Sequence, residues 1–223
     1  MEIPFAKPMI GDEERAAMNE VLQGTILTHG PRCSAFERAF AEFIGVKHAI
    51  TTSNCTTAIH LGLVACGIKP GDEVIVPAMT HVATAHAVEH CGAFPVFVDV
   101  DELTGCIDPT LIESKISVKT KAIIVVHFVG LPCDMDSIND IAQKYGIAVI
   151  EDAATALGAT YQNKQAGSLA KLGCFSFYPT KHITALEGGM LTTDDDAIAE
   201  QVRSQRAFGY DRGLNERKIP GIY

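Results

Sequence analysis

The chain has 223 residues, 47% hydrophobic and 20% charged, which is ordinary for a soluble α/β protein and enough for one large domain with a substantial core. Its formal net charge of −9 gives nucleic-acid binding no electrostatic support. No apolar run approaches the roughly 18 residues of a membrane span, and MEIPFAKPMIGDEERAAM lacks the basic-then-apolar order of a signal peptide.

Residues 1–10, with Pro4 and Pro8, read as extended. A helix is predicted over residues 11–22, where Asp12, Glu13 and Glu14 suit the positive end of the helix dipole. Residues 24–32, GTILTHGPR, read as a loop. Ser34 is the expected N-cap of the next helix, with Glu37 completing a capping box; Phe36, Phe40 and Phe43 recur at helical spacing and are assigned to the core, and Gly45 ends the helix. A strand follows at residues 48–52, then a turn and an apolar helix in SNCTTAIHLGLVACGI, and a turn at 69–72. Further strands are predicted at 73–77, 94–100, 121–126 and 147–151, separated by helices at 80–91, 109–115 and 137–145, with Gly146 as the C′ residue of the last. Residues 173–193, GCFSFYPTKHITALEGGMLTT, hold two more β-like runs around a turn; residues 194–208 look helical, and the tail reads as a loop.

Strands alternating with helices imply a three-layer αβα fold, with a mostly parallel sheet of about seven strands covered on both faces. There is no internal repeat and no linker, so one domain is expected. Cys33, Cys55, Cys66, Cys91, Cys106, Cys133 and Cys174 are scattered, odd in number and without a CxxC pair. That pattern suggests a reducing cytoplasm, with thiols acting as small packing residues, and it contains no zinc-ligand spacing.

Ligands in open α/β sheets gather at the carboxyl ends of strands, where four groups fall. Thr56 and Thr57 open the helix after the first strand; they are either a simple cap or part of an anion site suited to phosphate. The segment is neither a Walker loop nor GxGxxG, which disfavours ATP and dinucleotides. Asp152 follows IAVIE and reads either as an N-cap for AATALG or as a partner for a protonated ring nitrogen, with Glu151 on the opposite side of the pleat. His81 could stack on a ring or sit at the surface. Ser176 and Lys181 share the turn between the last two runs. Lys181 is either a solvated charge or an amine made nucleophilic by an apolar setting, the property a Schiff-base lysine needs. Together the four groups are the parts required to hold pyridoxal 5'-phosphate.

FSFYPTK followed by EGGM, with EDAA upstream and GDEVIVP…T…VATA before it, resembles the DegT/DnrJ/EryC1/StrS group of pyridoxal-phosphate sugar aminotransferases, of the fold type I (aspartate aminotransferase) superfamily. The likeness runs from about Pro8 to Gly209, nearly the whole chain. It implies that Lys181 forms the internal aldimine and shuttles a proton, that Asp152 pairs with the pyridine nitrogen, and that His81 stacks on the ring. It implies that Thr56, Thr57 and Ser176 bind the phosphate, and that Thr28, His29, Gly30 and Pro31 lie near the substrate entrance. Cys55 stands where many members have glycine, and Thr155 where many have Gln or His facing the ring hydroxyl, which predicts a weaker or water-mediated contact there. The implied reaction moves an amino group from an amino acid, glutamate in this reading, to a keto-sugar nucleotide, in a cytoplasmic homodimer serving polysaccharide biosynthesis. Residues 1–209 are then the cofactor-binding large domain, and 210–223 begin the connection to a small domain that the chain lacks. Two alternatives accompany this reading. One is a sugar 3-dehydratase, a branch in which histidine replaces the lysine; here Lys181 keeps its place with His182 beside it, a register set by Ser176 and by Glu187, Gly188 and Gly189. The other is a catalytically silent, truncated cofactor-binding protein.

Overall fold

The computed structural model describes residues 6–209; the first half of the expected extended N-terminus and the expected connection at 210–223 lie outside the described residues. The elements, in chain order, are α1 (Asp12–Gln23), α2 (Pro31–Ile44), β1 (His48–Thr52), α3 (Cys55–Ala65), β2 (Glu73–Pro77), α4 (Val82–His90), β3 (Phe94–Val98), α5 (Pro109–Ile112), β4 (Thr120–Val126), α6 (Met135–Tyr145), β5 (Ala148–Asp152), β6 (Thr160–Tyr161), β7 (Lys164–Gln165), β8 (Leu172–Ser176), β9 (Gly189–Thr193) and α7 (Asp196–Gln205).

Seven strands form one sheet in the order β1-β9-β8-β5-β4-β2-β3. All run parallel except β9, which is antiparallel to both neighbours, β1 and β8. The pleat explains the unbroken apolar runs. Val74, Val76, Ala122 and Ile124 face a cluster with Ile59, Leu63 and Val88, whereas Ile75, Ile123 and Val125 face another with Ile112, Met135 and Ile138. Alternate residues are therefore buried on opposite faces, and the three-layer α/β architecture expected from the sequence is the observed one. A third cluster, with Phe40, Ile44, Phe175 and Phe177, packs α2 against the β8–β9 end. Among the described residues no helix is long and apolar enough to cross a membrane.

Several local expectations change. Helix α2 starts at Pro31 with Gly30 as N-cap, not at Ser34. Proline is favoured at the first helical position because its φ is preset and its missing N–H would have no helical partner there. Glu37 consequently reaches no cap; it accepts from the Thr51 N–H (2.9 Å) and hydroxyl (2.8 Å) and pairs with Arg206, tying α2, β1 and α7 together. Phe40 is in the core, but Phe43 is 54% exposed. It lies about 60° around the helix from Phe40, on the side away from Ile44, and so misses the buried stripe. Residues after Asp152 form turns rather than a helix, so Asp152 is the last residue of β5 and caps nothing. Strand β3 stops at Val98, and Val100 makes only an isolated bridge to Ile107. The β6–β7 hairpin, absent from the expected elements, turns through Gln162 and Asn163, both with left-handed φ (48° and 64°). Two positive φ values are what a two-residue hairpin loop of the primed type requires.

Candidate active site

The sheet register gathers the predicted residues. Thr52 of β1 pairs with Gly189 of β9, which pairs with Ser176 of β8; one strand further, Asp152 of β5 lies opposite Cys174. Thr52, Asp152 and Ser176 thus end their strands on one edge, the carboxyl edge of the parallel set. The first turns of α3 and α4 follow β1 and β2 to the same edge.

Helix α3 presents an anion cradle there. Its N-cap is Asn54, whose side chain accepts from the Thr57 N–H at 2.8 Å, while the Asn54 carbonyl takes the Ala58 N–H. The N–H groups of Cys55 and Thr56 meet no acceptor among the described residues. The free donors of a first helical turn, with the helix dipole behind them, suit an anion such as a phosphate. Ser53 and Thr57 hydroxyls lie 3.0 Å apart beside them. A Cβ on Gly189 would stand 2.4 Å from the Asn54 carbonyl carbon and 2.7 Å from the Cys55 nitrogen, so only glycine lets β9 start against the cradle. The same register carries Ser176, whose oxygen accepts from the Tyr178 N–H at 3.3 Å and whose proton is left to donate.

Asp152 is buried, with a sliver of surface (6%). Its Oδ2 accepts from the Thr84 hydroxyl at 2.8 Å; Oδ1 accepts from the Ala154 N–H at 3.2 Å and lies 3.9 Å from Cys55 Sγ. Burial, then the Asp152 charge and Cys174, push the Cys55 thiol well up, while the Lys181 ammonium pulls the other way. Cys55 is therefore a neutral packing group wedged between the carboxylate and the cradle. Lys181 belongs to the turn that leaves β8 at this same carboxyl edge.

Lys181 is half-buried in the turn between β8 and β9, and its N–H donates to the Tyr178 carbonyl at 2.9 Å. It forms no ion pair among the described residues. The turn is pinned at its base. Phe177 N–H donates to the Gly188 carbonyl, and the Phe177 carbonyl takes the Ala185 N–H and the Thr184 hydroxyl. Phe177 itself sits in the aromatic cluster, with ring centroids 5.2 Å from Phe36 and 5.7 Å from Phe40.

His81 is exposed and caps α4 through its ring, Nδ1 accepting from the Ala83 N–H at 3.1 Å. Thr155 directs its hydroxyl proton to the His127 carbonyl at 3.3 Å, which leaves only its oxygen lone pairs for a ligand. Thr28 and His29 are exposed, Gly30 serves as the α2 N-cap, and no hydrogen bond joins the three to the strand-end residues. A cavity of about 550 Å³ beside that loop is lined by residues including Glu20, Thr25, Ile26, Arg32 and Arg38, and by none of the strand-end residues.

Sequence reasoning missed Asn54, Thr84 and the buried pair His127–Glu151. Asn54 could have been found, since Asn before a helical run is a preferred cap. Nothing local marks Thr84. Glu151 points away from Asp152, as the pleat requires, and is fully buried; it accepts from His127 Nε2 (2.9 Å) and from the N–H groups of Gly167 (2.6 Å), Leu169 (2.7 Å) and Ala170 (2.8 Å). No three His, Cys, Asp or Glu side chains converge into a metal-holding group among the described residues.

The donor set fits a phosphorylated ring carrying a carbonyl and a basic nitrogen: open N–H groups for the phosphate, a glycine-lined approach, a carboxylate and an amine. Comparison with known proteins points the same way. The model of the DegT/DnrJ/EryC1/StrS aminotransferase family matches residues 8–221. The chain is 49% identical to the GDP-perosamine synthase of Caulobacter vibrioides, over 94% of this chain and 57% of that protein. It is 46% identical to the spore coat polysaccharide biosynthesis protein SpsC of Bacillus subtilis, over 96% of this chain and 55% of that one. Among solved structures, an aminotransferase from Psychrobacter cryohalolentis superposes with a TM-score of 0.91 at 39% identity, covering 98% of this chain and 57% of that one. The chain thus spans little more than half the length of the relatives it matches.

Proposed function

Because the chain belongs to the DegT/DnrJ/EryC1/StrS aminotransferase family, we propose that it binds pyridoxal 5'-phosphate and serves the transfer of an amino group from an amino acid, glutamate in this reading, to a keto-sugar nucleotide. The observation that carries the reading is the convergence of an open helix N-terminus, the Asp152 carboxylate and the turn that carries Lys181 on one sheet edge. The GDP-perosamine synthase relative supports a nucleotide-linked sugar as the acceptor class.

When bound, the cofactor supplies a carbonyl that condenses with amines and a ring that takes up electrons. The Cys55 and Thr56 N–H groups, with the Thr56, Thr57 and Ser176 hydroxyls, hold its phosphate. Asp152 would hold the protonated ring nitrogen, His81 would cover the ring, and the Thr155 oxygen would accept from the ring hydroxyl, directly or through water. Lys181 Nζ would be the covalent anchor and, when free as an amine, the base for the donor's α-proton. Thr28, His29 and Gly30 belong to the sugar entrance. Residues 8–209 belong to the cofactor-binding domain, and the working protein is read as a cytoplasmic homodimer.

Borohydride reduction of the cofactor-loaded protein should leave the cofactor on Lys181, read by peptide mass spectrometry. Label on another residue, or a Lys181→Ala protein with full amine transfer, sinks the assignment. Loss of a sugar hydroxyl without glutamate-dependent amination would favour the dehydratase reading instead.

A further inference from the structure

We infer that Thr84 is a positioning residue for Asp152, holding the carboxylate so that one lone pair of Oδ2 faces the cofactor ring; this rests on the pyridoxal-phosphate reading above. Thr84 is fully buried, and its hydroxyl lies 2.8 Å from Oδ2. An ionised carboxylate only accepts, so Thr84 is the donor of that bond. Its own oxygen is then the acceptor for Thr80 Oγ1, 2.9 Å away, and the order Thr80 to Thr84 to Asp152 follows.

The other carboxylate oxygen is engaged separately, by the Ala154 N–H and the Cys55 thiol. Asp152 forms no ion pair among the described residues. Two thiols flank it, Cys55 from α3 and Cys174 from β8, both with pKa values pushed well up by burial. The plane of the carboxylate is therefore set by neutral donors from α4, from α3 and from the turn after β5. An aspartate χ2 torsion is broad and poorly fixed by sterics alone, so these donors decide its angle. Thr84 is the donor to Oδ2, the oxygen with room for a second bond. A buried helical threonine could instead return its proton to a carbonyl one turn back, but this one spends it on the carboxylate.

The test compares wild type, Thr84→Val, Thr84→Ser and Thr80→Val, each shown to be folded by circular dichroism. Pyridoxal 5'-phosphate is titrated in, and its dissociation constant is read from the visible band. A parallel titration uses the 1-deaza analogue, whose ring has carbon in place of nitrogen. Thr84→Val should weaken pyridoxal-phosphate binding about ten-fold, Thr84→Ser should restore it to within about two-fold, and Thr80→Val should fall between. Binding of the deaza analogue should be the same for all four proteins. Wild-type affinity in Thr84→Val, equal losses for both ligands, or a Thr84→Ser protein as weak as Thr84→Val would overturn the role. If Thr84→Val does not fold, the Thr80→Val contrast between the two ligands decides by the same criteria. A wild-type protein that gives no band overturns the cofactor reading itself, and this role with it.

Discussion

Replacing Glu151 with Gln should destabilise the fold severely, although the two side chains have almost the same shape. Glu151 is fully buried and each of its oxygens accepts two hydrogen bonds. Oε1 takes Leu169 and Ala170 N–H; Oε2 takes Gly167 N–H and His127 Nε2. His127 Nδ1 itself accepts from the Cys133 N–H at 3.2 Å, so the ring proton sits on Nε2 and the ring cannot turn acceptor towards position 151. A glutamine can present an oxygen to one pair of donors only. Its NH₂ must face the other pair, leaving two buried N–H groups unpaired. At about 1–3 kcal/mol each, the loss is roughly 2–6 kcal/mol, against a total stability of about 5–15 kcal/mol for a typical domain. Taking about 4 kcal/mol and a urea m-value of about 2.5 kcal/mol/M, the unfolding midpoint should fall by about 1.5 M. Urea unfolding followed by circular dichroism measures it, and amide exchange should accelerate at Gly167, Leu169 and Ala170. A midpoint shift below about 0.4 M, which is about 1 kcal/mol at that m-value, would show that the four-donor count is wrong.

Gly189→Ala should cost about 1–3 kcal/mol and weaken pyridoxal-phosphate binding, because the new Cβ meets the backbone of Asn54 and Cys55 at 2.4–2.7 Å and must displace the cradle; thermal unfolding and a cofactor titration both unchanged would refute it. Glu37 gives a pH dependence. Burial raises its pKa, but the Thr51 N–H and Arg206 outweigh that and leave it below the ordinary 4.5. A depressed folded value means the contribution is complete above the unfolded value and lost as pH falls through the folded one. The stability gap between wild type and Glu37→Gln should therefore be largest at neutral pH and shrink below about 4.5, and a gap that widens with acid would contradict the pairing. Phe40→Ala should cost about 3–5 kcal/mol, whereas Phe43→Ala should stay within about 0.5 kcal/mol; equal effects would put Phe43 back in the core.

What each stretch does on its own was legible from the chain. The strands at His48–Thr52 and Glu73–Pro77 appear where the apolar runs place them, and Gly45 and Gly146 end their helices in the left-handed conformation only glycine adopts freely. The parallel three-layer architecture follows from the alternation of such stretches, and the motifs around Lys181 and Asp152 carried the family. Tertiary structure decided which groups meet. Thr84 and Cys55 reach Asp152 from 68 and 97 residues away, and Glu151 is satisfied by three N–H groups of a loop 16 to 19 residues downstream and by His127, 24 residues upstream. Periodicity reports which side of an element is buried, but not which partner the sheet order brings to that side. Asp152 read by itself more readily as a helix cap than as a ring partner, until the turns after β5 left it no helix to cap. The antiparallel run of β9 is likewise a property of the assembled sheet: it sets Gly189 between Thr52 and Ser176, against the first turn of α3.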